Sequence, residues 1–86
     1  MVEKKIVVGL EQGVHIRPAK QFVKIAADYE CEIFIHKDDN RINGKSILGI
    51  MSLAIDTGEE VTLIADGADE QEAIASLENL LTGREG

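Results

Sequence analysis

The chain has 86 residues, with 9 Lys and Arg against 16 Asp and Glu and a formal net charge of −7. That length permits one domain over residues 1–86 with a small core, and 44% apolar with 29% charged residues marks a folded chain rather than a disordered one. No apolar run reaches the roughly 18 residues of a membrane span, the start Met-Val-Glu-Lys-Lys lacks the apolar region of a secretory signal, and the acidic balance argues against direct nucleic-acid binding. The single Cys31 excludes an internal disulfide, and two His with one Cys, well separated, are too few for a closed structural zinc site without carboxylate help, so a cytoplasmic protein without metal or cofactor is expected.

Val2, Ile6, Val8 and Leu10 fall on alternate positions, with Lys4 the exception, which predicts a first strand with one buried face. The period then becomes helical: Ala19, Phe22, Val23 and Ala26 stand at i, i+3, i+4 and i+7 within residues 16–29. Pro18 is tolerated only in a first turn, so this helix starts at Ile16 or Arg17. Cys31, Ile33 and Ile35 predict a second strand. Lys37-Asp38-Asp39-Asn40 is turn chemistry, and Arg41-Ile42-Asn43 returns as a short third strand. Ser46 is an N-cap candidate for a helix from Ile47 to about Ala54. Val61, Leu63 and Ala65 alternate with Thr62 and Ile64 as a fourth strand. Asp69-Glu70-Gln71-Glu72 reads as a capping box with Asp69 in the Ser/Thr place. The helix that follows carries the stripe Ala73, Ile74, Leu77, Leu80 and Leu81 and closes at Gly83. The order βαββαβα predicts an α+β fold, an antiparallel sheet with helices on one side.

Charge is unevenly spread. Residues 1–54 carry 8 Lys/Arg and 7 Asp/Glu, whereas residues 55–86 carry 1 and 9. The windows 13–27 and 40–55 hold no acid, and Arg17, Lys20 and Lys24 form one ridge down the first helix at i, i+3 and i+7. Such a local field steers an acidic partner even on an acidic protein.

The segment Gly13-Val14-His15-Ile16-Arg17-Pro18-Ala19 puts a histidine at a helix start. Helix N-termini offer unpaired N–H groups and the positive end of the dipole to an anion. Arg17 adds a guanidinium suited to phosphate oxygens, Gly13 allows close backbone approach, and Pro18 stiffens the turn. Imidazole is nucleophilic near neutral pH, and a helix end with a cation suits a transient phosphoryl group. A surface histidine without any such part is the plain alternative.

The segment Lys45-Ser46-Ile47-Leu48-Gly49-Ile50-Met51-Ser52-Leu53 has too many apolar residues for one buried stripe. Ile50, Leu53 and Ala54 can face a core, leaving Ile47, Leu48 and Met51 on another face. That helix is either buried all round or shows a partner an apolar patch, and a single sheet layer to cover it favours the patch. Ser46 caps the helix and is also a place where the dipole tolerates phosphate.

Together, Gly-x-His-x-Arg-Pro-Ala and Lys-Ser-Ile-x-Gly-x-Met-Ser-Leu, with His15 and Ser46 31 residues apart, resemble the HPr family. These are the histidine-containing phosphocarriers of the bacterial phosphoenolpyruvate-dependent sugar phosphotransferase system. Tyr29, Asn43, Thr57-Gly58 and Gly67-Ala68-Asp69-Glu70 also stand in family-like places. The resemblance implies the HPr open-faced β-sandwich, four antiparallel strands with three helices on one face. It implies that His15 is phosphorylated on Nδ1 with Arg17 as phosphate partner, and that Gly13, Ile16 and Pro18 shape the phosphate-stabilising loop and helix start. Ser46 would match the regulatory serine of the Gram-positive type, modified by HPr kinase/phosphorylase. Lys20, Lys24, Lys45, Ile47, Leu48 and Met51 would meet enzyme I and the IIA domains of sugar permeases. The paralogue dedicated to catabolite repression lacks the active histidine, and His15 is present here. Three departures stand out: Ile16 where Ala is usual, Gln12 in place of a small hydroxyl residue, and Asp38-Asp39-Asn40 without a hairpin glycine.

Three functions compete. The first is a phosphoryl relay with no turnover of its own. The second is a regulatory module that, phosphorylated on Ser46, serves a LacI-type catabolite regulator as corepressor. The third, a His-dependent hydrolase, ranks last because no nucleophile or orienting carboxylate accompanies His15.

Overall fold

Alternating apolar residues put one face of each strand against helices, and this fixes the layering. The computed structural model describes residues 1–83. In chain order the elements are β1 (Val2–Val7), α1 (Ile16–Ala27), β2 (Glu32–Lys37), β3 (Asn40–Asn43), α2 (Ile47–Ser52), β4 (Glu60–Asp66) and α3 (Glu70–Leu81). The strands form one antiparallel sheet in the order β1-β4-β2-β3, with the three helices on one face. This is the expected βαββαβα open-faced sandwich.

Ile6, Ile33, Ile35, Val61, Leu63 and Ala65 line the covered face and pack on Phe22, Ala26, Ile50, Leu77 and Leu81. The α3 stripe is buried as its spacing predicts, and Gly83 ends the helix at φ +77°. Lys4, the polar exception on β1, reaches the α3 carboxylate of Glu78 at 2.8 Å. In the two-residue hairpin of β2 and β3, Asp38 takes φ +55° in the absence of a glycine, a conformation Asp tolerates better than most side chains.

One burial goes beyond the alternation, and two expectations are corrected. Ile64 sits on the open face of the sheet, yet it is buried. It lies in register between Glu3 and Phe34, and the Arg41 guanidinium stacks 4.3 Å from the Phe34 ring centroid beside it. Ala54 lies outside α2 and is exposed, with φ +48°, because the helix stops at Ser52 with Leu53 as its C-cap. The capping box does not form either. Asp69 is the α3 N-cap, but its carboxylate makes no cap bond. It accepts instead from the backbone N–H groups of Glu30 (2.8 Å) and Cys31 (3.0 Å), and so closes the loop between α1 and β2.

These bonds set an acid dependence. The Glu30 N–H is the main cause that holds the Asp69 carboxyl below its ordinary 3.8, and the Gly67 N–H does the same for Glu70 from 4.5. A depressed folded pKa means that the unfolded chain binds the extra protons. The stabilisation is therefore whole above the ordinary values and is lost as pH falls through the folded ones. Thermal melts from pH 6 to pH 3 are expected to show Tm falling below about pH 4.5. Asp69→Asn lowers Tm at pH 7 and flattens that fall. Burial is the main cause that pushes the Cys31 thiol up to about 11, so it stays neutral and serves as a packing group.

Candidate functional site

His15 is the N-cap residue of α1, with extended backbone at φ −84° and ψ −170°. Its carbonyl accepts the first helical bond from Ala19 N–H at 3.0 Å. Its side chain makes no cap bond and the residue is exposed, so the imidazole is free to react. Pro18 has no N–H to satisfy. Among the described residues the N–H groups of Ile16 and Arg17 have no protein acceptor, which leaves two donors at the positive end of the helix. The first turn holds no acid.

Gly13 anchors this loop. Its φ of +69° suits glycine, and a Cβ there would lie 2.5 Å from the Ile55 carbonyl oxygen and 2.8 Å from Asp56 Cα. The neighbouring Val14 N–H donates to the same Ile55 oxygen at 2.8 Å. The histidine loop is thus docked, backbone on backbone, against the segment that follows α2.

Arg17, Lys20 and Lys24 are exposed along α1, and among the described residues none has a carboxylate within ion-pair distance. Ile16 is half exposed at the head of this row. Helix α2 packs beside α1. On α2 the apolar residues divide in a way the sequence left open: Ile50 and Leu53 are core, Ile47 and Met51 are half-buried against it, and Leu48 is 81% exposed. The patch is therefore one leucine flanked by two partly covered neighbours.

Ser46 Oγ accepts from the Gly49 N–H at 3.1 Å and so caps α2. Six residues at 1.5 Å each put roughly 9 Å of helix between this cap and the end of α2, beyond which the His15 loop docks. Ser46 caps one end of α2, and the His15 loop rests on the segment that follows the other end. Ser46→Ala is expected to lower stability by about 1 kcal/mol through the lost cap, with Ser46→Asp retaining most of it; urea unfolding measures both.

The Lys45 ammonium donates to the Tyr29 carbonyl at 2.8 Å, at the far end of α1 from His15. Lys37 opens the turn chemistry of Lys37-Asp38-Asp39-Asn40, yet it is still part of β2. It shares strand parity with Cys31, Ile33 and Ile35, so it belongs to the covered face and must find oxygen partners there. That parity was the available signal. Its ammonium donates to the carbonyls of Leu53 (2.9 Å) and Ala54 (3.0 Å) and to Glu59 Oε1 (2.9 Å).

Residues 2–83 match the PTS-HPr family, described as the PTS HPr component phosphorylation site. The HPr-like protein Crh of Bacillus subtilis (strain 168) is 51% identical over 77 residues, which cover 90% of this chain and 91% of Crh. The phosphocarrier protein HPr of Neisseria meningitidis serogroup A is 39% identical over 83 residues, covering 96% and 93%. The solved structure of HPr-C-His from Thermoanaerobacter tengcongensis superposes with a TM-score of 0.91 at 42% identity and covers 100% of both chains.

Proposed function

The chain belongs to the PTS-HPr family, and from that membership we propose that it is a phosphocarrier acting through His15. The observation that carries this reading is the exposed imidazole at the α1 start, beside two unpaired N–H groups and a row of cations without carboxylate partners. In the forward step the Nδ1 lone pair forms a bond to phosphorus while the bond from phosphorus to the donor breaks. The electron pair of that bond leaves with the donor, and the imidazole keeps its proton on Nε2. Arg17 and the α1 dipole meet the charge on the phosphoryl oxygens. In the second step a nucleophile of the acceptor takes the phosphorus and His15 recovers its lone pair. The protein is used stoichiometrically and turns over nothing.

The donor in this reading is enzyme I charged by phosphoenolpyruvate, and the acceptors are IIA domains of sugar permeases, all in the cytoplasm. Among the described residues no helix is long and apolar enough to cross a membrane. Arg17, Lys20, Lys24, Ile47, Leu48 and Met51 form the docking face.

The likeness to Crh favours a second, compatible reading in which the chain also regulates. Here HPr kinase/phosphorylase modifies Ser46, and the product serves a LacI-type regulator as corepressor. A phosphate on Ser46 adds about two negative charges at the N-terminus of α2, where the dipole accepts them. It stands two residues before the exposed Leu48 of the docking face, so it slows transfer from enzyme I by like-charge repulsion against an acidic partner surface and the incoming phosphoryl group.

Labelling separates the two readings. Phosphate from phosphoenolpyruvate and enzyme I is expected to be acid-labile and base-stable. Phosphate from ATP and the kinase is expected to be acid-stable and absent from Ser46→Ala. A chain labelled only by the kinase is a regulator and no carrier.

A further inference from the structure

Lys37 ends β2 on the covered side of the sheet, and its side chain is only 14% exposed. Its three bonds, to Leu53 O, Ala54 O and Glu59 Oε1, use every donor an ammonium has. Glu59 Oε1 also accepts the Asp56 N–H at 2.7 Å. One cation thus gathers both ends of the segment 53–59. The segment does not hold its shape by propensity. Ala54 stands at φ +48°, which disfavours any side chain, and persists where surrounding bonds over-determine it. The carbonyls that Lys37 binds lie just past the C-terminus of α2, the end where a cation is favoured.

The same segment carries the histidine loop. Between the residues bound by Lys37 lies Ile55, whose carbonyl accepts Val14 N–H, and the backbone of 55–57 rests against Gly13. A continuous chain of bonds therefore runs from the Lys37 ammonium to the residue before His15.

We propose that Lys37 is a positioning residue for phosphoryl transfer: through the segment 53–59 it fixes the Val14–Ile55 hydrogen bond and with it the place of His15 at the head of α1. The inference rests on the reading of His15 as acceptor. Lys37 touches neither the imidazole nor the docking row on α1, so its removal acts on the transfer step and not on docking.

The test compares Lys37→Met, which keeps the stem and removes the donors, with Lys37→Arg, which keeps the donors. Amide exchange of Val14 is followed by NMR in the full chain against Leu63, in the middle of the interior strand β4. In Lys37→Met the Val14 amide is expected to exchange about tenfold faster relative to Leu63, the equivalent of one hydrogen bond. The maximal rate of transfer from charged enzyme I falls by about the same tenfold factor, with the half-saturating concentration unchanged. Lys37→Arg restores both. Equal acceleration of the two amides, with transfer reduced only by the unfolded fraction, means that Lys37 merely stabilises and overturns the proposal. If Lys37→Met does not fold, Glu59→Gln makes the same comparison by removing the carboxylate and leaving an acceptor for Asp56. Val14 accelerating beyond Leu63 supports the coupling, and equal acceleration overturns it. The exchange measurement needs no phosphate, so wild-type chain unlabelled at His15 ends the carrier reading while Val14 still decides the coupling.

Discussion

His15→Ala is expected to abolish phosphate uptake from phosphoenolpyruvate-charged enzyme I and to leave the fold as stable as before. The imidazole supplies the attacking lone pair, and no neighbour replaces it: a guanidinium offers only donors, and the Ile16 and Arg17 N–H groups donate only. Loss of a nucleophile lowers transfer by about four orders of magnitude or more. Stability is unmoved because the exposed side chain makes no cap bond. A substitution of that kind changes unfolding free energy by about 0.5 kcal/mol or less. Quenched-flow labelling and urea unfolding, run on the same preparation, check both halves. Label retained on the variant assigns the acceptor elsewhere.

Gly13→Ala combines the second-largest effect on transfer with the largest on stability. The backbone there has φ +69°, which costs an L side chain about 1–2 kcal/mol. The added Cβ would also lie 2.5 Å from the Ile55 oxygen, a backbone atom that cannot rotate away. Forcing one methyl into such a contact costs a further 1–3 kcal/mol or so. The loop yields by moving off the segment 55–57, which breaks the Val14–Ile55 bond and displaces His15. A displacement of about 1 Å at a reacting group is worth roughly a hundredfold in rate. The expected result is a urea midpoint shift equivalent to about 2–5 kcal/mol at constant slope, with transfer slowed at unchanged donor affinity. Stability and transfer both at wild-type levels contradict the docking of the loop on Ile55.

The elements were legible because local spacing sets them. Ala19, Phe22 and Ala26 on α1, and Ala73, Ile74, Leu77, Leu80 and Leu81 on α3, are all buried where their period puts them. The histidine segment was legible for the same reason: a helix start is a local object, and Gly13, His15, Arg17 and Pro18 lie within six residues of one another. The misreadings arise where a side chain serves a distant part of the chain. Asp69 has the sequence context of a cap, yet two loop amides 38 and 39 residues away take its carboxylate. Ala54 fits a helical stripe, and only the bonds gathering residues 53–59 show why the chain turns there. The apolar excess on α2 pointed to a surface patch, and packing limits the fully exposed part of it to Leu48.

The most direct test of the whole account is to incubate the intact chain with enzyme I and phosphoenolpyruvate and to locate any added phosphate by mass spectrometry under alkaline conditions. The account predicts one phosphoryl group, on the fragment containing His15, lost on brief acid treatment. Phosphate on Ser46 alone, or no gain in mass, contradicts it.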